Sequence, residues 1–161
     1  MKYFRVLVLP LILAMPVLAQ GTSVAFGTIR QDTGLPVEAT ADNLSVDPAT
    51  GNAIFEGNVV IGQGEMRLSA ARVKIVYRSG GEGIQRLEAT GGVTLVSGPD
   101  AAEAERADYN IDDGTIVMTG NVLLAQGPSA LTADRMSVRL SDGTAKMSGS
   151  VKTILQTGSN N

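Results

Sequence analysis

The sequence predicts an all-β protein, an open antiparallel sheet folded over along a line. Three observations lead there. Apolar and polar residues alternate with period two in "RVKIVYR" (72–78) and "RMSVRLS" (135–141), the mark of half-buried strands. Turn-forming clusters punctuate the chain: "PATG" (48–51), "SGGEG" (79–83), "SGPD" (97–100), "DDG" (112–114), "QGPS" (126–129) and "SDG" (141–143). A unit of strand, tight turn, strand and glycine bend also recurs down the chain.

The N-terminal "MKYFRVLVLPLILAMPVLAQ" has a short basic start, Lys2 and Arg5, then an uncharged apolar run from Val6 to Ala19. This run falls short of the roughly 20 residues that cross a bilayer. It reads as a signal peptide over 1–19 cut after Ala19, with an uncleaved anchor as the alternative. Residues 20–34 form a leader of little information, and Phe26 is expected to lie outside the core. The domain is expected over 35–156 and a tail over 157–161.

Within the domain, Val37, Ala39 and Ala41 share one parity in "PVEATADNLSVD". Ala53 and Phe55 then oppose Ile54 and Glu56, with the parity at 54 and 55 uncertain because Gly57-Asn58 bends the strand. Val73, Ile75 and Tyr77 point one way, as do Met136, Val138 and Leu140. "DAAEAERAD" (100–108) has helix-forming composition, but it is short and runs into "YNIDDGTIVM", so strand or loop is favoured. The terminal strands are expected over 35–41 and 149–156.

The repeat is written in glycine. Gly51 and Gly57 follow Asp42 with the same two spacings by which Gly143 and Gly149 follow Asp134. Gly114 and Gly120 repeat the six-residue step, and Gly91-Gly92-Val93 is a degenerate copy. The bend glycines 57, 91, 120 and 149 are spaced 34, 29 and 29 residues apart. Glycine within a strand marks a bulge, a corner or a close backbone approach. Four corners at regular spacing imply a sheet folded along a line.

Composition excludes much chemistry. With no His and no Cys there is no imidazole base, thiol nucleophile or usual zinc shell, and no metal or cofactor is expected. Asp112 and Asp113 sit where a turn wants aspartate. Without Lys2 and Arg5 the 13 basic residues fall to 11 against 16 acidic ones, which does not suggest a nucleic-acid partner. Arg67, Arg72 and Lys74 cluster in sequence, either as a solvated outer face or as contacts for an anionic headgroup. Met66, Met118, Met136 and Met147 suit a plain core or an adaptable groove for acyl chains.

"LPVEATADNLSVDPATGNAIFEGNVVIGQGEMRLSAARVKIVY" closely resembles the start of the LptA/OstA family of periplasmic lipopolysaccharide transport proteins. "ADYNIDDGTIVMTGNV" and "LTADRMSVRL" resemble its later repeats, so the resemblance spans about 35–152. It implies an open antiparallel β-jellyroll, a taco-like sheet whose interior carries lipopolysaccharide acyl chains. It also implies an inner-membrane export partner, an outer-membrane translocon and head-to-tail stacking through terminal strands, with no catalytic residues. The groove candidates are Phe55, Val59, Ile61, Met66, Leu68, Val73, Ile75, Met118, Met136, Val138, Leu140 and Met147. Three alternatives stand beside this reading: a β-protein for protein contacts only, an inner-membrane-anchored partner of the same fold, and a glycan hydrolase with paired carboxylates.

Overall fold

The computed structural model describes residues 21–26 and 33–154. The expected signal peptide and the tail over 157–161 lie outside the described residues. Eleven strands follow in chain order: β1 (Thr22–Ala25), β2 (Glu38–Thr40), β3 (Asn43–Val46), β4 (Ala53–Gln63), β5 (Met66–Tyr77), β6 (Ile84–Ser97), β7 (Asp100–Asn110), β8 (Thr115–Gln126), β9 (Ser129–Arg139), β10 (Thr144–Ser148) and β11 (Lys152–Ile154). Among the described residues there is no helix. The strands make one sheet in the order β1-β10-β9-β8-β7-β6-β5-β4-β2, with β11 also on β9 and β3 also on β4. Every pairing is antiparallel.

The long strands β4 to β9 are each bent in the middle, and the bends fall into line. The register shifts between Glu56 and Val59, between Ala70 and Arg72, between Thr90 and Val93, between Glu103 and Arg106, and between Thr119 and Val122. At this seam one strand offers two residues where its neighbour offers one, which is the definition of a β-bulge. The two-residue members are Gly57-Asn58, Gly91-Gly92, Gly120-Asn121 and Gly149-Ser150, all eight at positive φ. Between them lie the single residues Asp42, Ala71, Glu105 and Asp134. Backbone bonds of 2.9 Å from the Asp42 and Asp134 amides to the Gly57 and Gly149 carbonyls fix this pattern. A Cβ on Gly149 would lie 2.5 Å from the Asp134 carboxylate, so the close approach as well as the φ of +76° requires glycine.

The seam divides the sheet into two layers. The first holds β1, β10, β3 and the halves of β4–β9 on their side of the seam. The second holds β2, β11 and the other halves. The core residues of both layers are buried to between 0 and 8% exposure, and Val24, Ala39 and Phe55 toward the ends of the sheet are partly buried. Burial of one face along every long strand requires cover from the opposite layer, so the sheet is folded onto itself, with Phe26 and Val37 of the N-terminal chain also packed on the core. The apex is lined by small residues: Ala70, Ala104 and Ala133 each immediately precede a single seam residue. Larger side chains fill the widening space toward the mouth.

Two expectations need correction. Thr22–Ala25 of the leader form a strand on β10, and Phe26 is fully buried in the core. The last strand starts at Lys152 rather than 149, because Gly149 and Ser150 belong to the seam, and residues 155 and 156 of the expected span lie outside the described residues. Asp100–Asn110 is a strand paired on both sides, as favoured over a helix: two ladders override its helix-forming composition.

Candidate functional site

The candidate site is the interior between the layers. Alternation decides who enters it: along β5, Met66, Leu68 and Ala70 point in up to the seam. Ala71 and Arg72 then both point out, and Val73 and Ile75 resume inward. The same double outward step occurs at Glu105-Arg106 and Asp134-Arg135. The groove candidates Val59, Ile61, Met66, Leu68, Val73, Ile75, Met118, Met136, Val138, Leu140 and Met147 are all buried inward. Phe55 is partly buried against the same core, opposite Leu44 and Val73, which settles the parity at 54 and 55. Sequence reading missed Leu87, Leu95, Tyr109, Ile116, Leu124 and Leu131. The Gly91-Gly92 and Gly120-Asn121 bends break the alternation of β6 and β8, and a seam-aware parity switch would have found them.

The two lips of the mouth differ. On the first layer the lip is apolar, with Ile75, Leu87, Tyr109, Ile116 and Leu140. On the second it carries buried Gln63, Ser97 and Asp100 and half-buried Gln126. The Tyr109 hydroxyl reaches across the lips and donates to Gln63 Oε1 at 2.7 Å. Burial pushes the Tyr109 phenol up to about 12, so it stays protonated as a donor. Gln63 Nε2 donates to the carbonyls of Thr33 and Leu35, at 3.1 and 3.0 Å. Gln126 Nε2 donates to the Ala25 carbonyl at 2.5 Å and to Asp100 at 2.9 Å. The polar lip thus holds the N-terminal chain at two points of the mouth.

The headgroup candidates do not converge. Arg67 donates to the carbonyls of Gly64 and Met66 on its own turn, at 2.6 and 2.8 Å. Arg72 pairs with Glu56 across the outer face. Lys74 stands between Ile54 and Glu88 on neighbouring strands. The turn carboxylates serve their own loops. Asp47 accepts the Ala49 N–H and the Thr50 hydroxyl, both at 2.9 Å, and these bonds hold its carboxyl below the usual range. Asp142 is held low by the Thr144 hydroxyl and N–H, then by Arg139. Asp112 pairs with Arg78, and the Asp112 and Asp113 amides donate to Asn110 Oδ1. The arrangement supplies a packed apolar interior and backbone-holding amides.

Comparison with known proteins agrees with this geometry. LptH, the LptA-homologous periplasmic component of the lipopolysaccharide transport device of Pseudomonas aeruginosa, superposes with a TM-score of 0.68 at 15% identity, over 79% of this chain and 99% of that one. The open jellyroll-like fold is therefore shared. An uncharacterized protein of Rhizobium meliloti (strain 1021) is 31% identical over 114 residues, which cover 66% of this chain. The chain spans 61% of that relative's length. The family model described as LptA/(LptD N-terminal domain) LPS transport protein matches residues 38–154, and the chain belongs to this family of transport proteins.

Proposed function

We infer that the protein carries lipopolysaccharide through the periplasm, with acyl chains held between the two layers, and that it bridges an inner-membrane export partner and an outer-membrane translocon. The observation that carries this reading is the continuous apolar interior, which runs from β4 to β10; among the described residues Asp100, at the lip, is the only buried charged one. Acyl chains would enter by displacing core side chains. The methionines Met66, Met118, Met136 and Met147 are spread over four strands and re-pack readily. Copies would stack end to end, with β11 of one beside β2 of the next. A photocrosslinking residue at Met118 or Val138, compared with one at Val117 or Ser137, tests the lipid site. Lipopolysaccharide should label from the first pair only; equal labelling from outward positions refutes the interior as the site.

A second reading, a β-protein for protein contacts alone, is favoured by one observation. Leu44 and Val46 on edge strand β3 are each 62% exposed. Stacking without any interior labelling would select it.

A further inference from the structure

The two ends of the sheet are complementary in three respects. The seam begins with a single residue, Asp42, and ends with a pair, Gly149-Ser150, so a second copy placed end to end continues the alternation. Strand direction continues as well. Eight antiparallel steps separate β1 from β3 along the first layer, an even number, so the two run the same way. The slot beside β10 therefore takes a neighbour's β3 antiparallel. In this protein β1 already fills it.

Register is the third. At each internal seam the residue before the glycine pairs with the residue after the single residue: Thr90 and Thr119 with Arg106, Thr119 and Ser148 with Arg135, Glu56 with Asn43. Applied to the open side of β10, this rule pairs Ser148 with the neighbour's Asn43. Leu44, Ser45 and Val46 then fall opposite Met147, Lys146 and Ala145. In the observed fold Thr22, Ser23 and Val24 pair with those same three residues. Thr-Ser-Val stands where Leu-Ser-Val would stand, in the same direction and the same register.

We propose that β1 is an internal stand-in for β3 of a second copy, capping the β10 edge until it is displaced. This rests on the end-to-end reading above. β1 has four residues, none fully buried, and pairs with a single strand, so its release breaks one short ladder, the Gln126 bond to the Ala25 carbonyl and the buried seat of Phe26. Leu44 and Val46 are more apolar than Thr22 and Val24 taken together, and they lie uncovered until a neighbour arrives. Edge strands invite such pairing, and an internal strand that covers one edge restrains it.

The test uses the full chain. Ser23 and Lys146 face each other on the outer side of the ladder. Directly opposed antiparallel residues lie about 5 Å apart, within disulfide reach. Ser23→Cys with Lys146→Cys locks the cap when oxidised and frees it when reduced, and no native cysteine competes. Val24→Asp releases it without altering β10. By light scattering against concentration, the oxidised pair should stay monomeric. Val24→Asp should stack at a concentration about tenfold lower than the unmodified chain, because a competing closed state weakens apparent affinity by its population. Adding Val46→Asp should abolish that gain. Circular dichroism checks that each variant keeps its β fold. If the oxidised pair stacks as readily as Val24→Asp, the cap is refuted and stacking stands. If folded Val24→Asp stays monomeric throughout, both are refuted. If Val46→Asp leaves the gain intact, β3 is not the displaced strand's counterpart.

Discussion

The apex and the mouth of the folded sheet are held by different means. At the apex the backbone does the work: eight residues at positive φ, alternating with four single residues, set the bend, and alanines let the layers converge. At the mouth, side chains hold the layers: Tyr109 reaches Gln63, and Gln63 and Gln126 grip the N-terminal chain. Backbone conformation resists change at every residue that adopts it, whereas a side-chain contact can be exchanged for another. If the interior takes acyl chains as proposed, a stiff hinge with an exchangeable closure serves their entry better than the reverse.

The largest loss should come from charging the slot itself. Val138 is 1% exposed between Ile116 and Ala145, and the Asp that replaces it has no evident partner there. Val138→Asp should cost on the order of several kcal/mol or drive the carboxyl to protonate. Ser137→Asp, on the outer face, should change denaturant midpoints little. Equal losses would mean that both faces are effectively buried.

The hinge can be probed by two adjacent glycines. A Cβ on Gly91 would lie 2.7 Å from the Ala71 Cβ, which is fixed to its backbone, whereas Gly92 has nothing within 4 Å. Both have positive φ. Gly92→Ala should cost about 1 kcal/mol for the left-handed conformation alone, and Gly91→Ala about 2–3 kcal/mol because strain and collision add. Urea melts that rank them the other way would break the stiff-hinge account.

At the mouth the effects are smaller. Tyr109→Phe removes one cross-lip hydrogen bond and should cost about 1 kcal/mol at neutral pH. Its pH signature is more telling. The folded phenol titrates at about 12 against an ordinary 10.0. The unfolded chain therefore loses this proton first, and stability contributed by the protonated phenol falls as pH rises from about 10 to 12. Tyr109→Phe should flatten that alkaline limb in thermal melts. The smallest change belongs to Asp142→Asn on an exposed turn. The carboxyl is depressed, so its contribution is present above its ordinary value of 3.8 and disappears as pH falls through the folded value. The variant should differ slightly from the unmodified chain near neutrality and converge with it in acid.

Much of the apex was legible in sequence because glycine at 57, 91, 120 and 149 leaves a spacing that can be read directly. The inward rows of β5 and β9 were legible for a similar reason, since their alternation is unbroken on each side of the seam. The mouth was not. Phe26 and β1 lie in a Gly-rich leader with a strand too short to show a period, and their burial depends on β10, more than a hundred residues away. The polar lip is invisible because Gln63, Ser97, Asp100 and Gln126 meet only across strand pairs. β7 read ambiguously because alanine, needed where the layers converge at Ala102, Ala104 and Ala107, is also the best helix former.

The alternation of one and two residues along the seam also limits how such a chain can change length. A single strand gained or lost would leave both ends of the seam alike, two singles or two pairs, and would reverse the direction of every strand beyond it. Only whole hairpins, one bent strand with a pair and one with a single, preserve phase, direction and matching ends together. Insertions and deletions compatible with this architecture therefore come in steps of two strands, and turns at the mouth are free to vary by single residues.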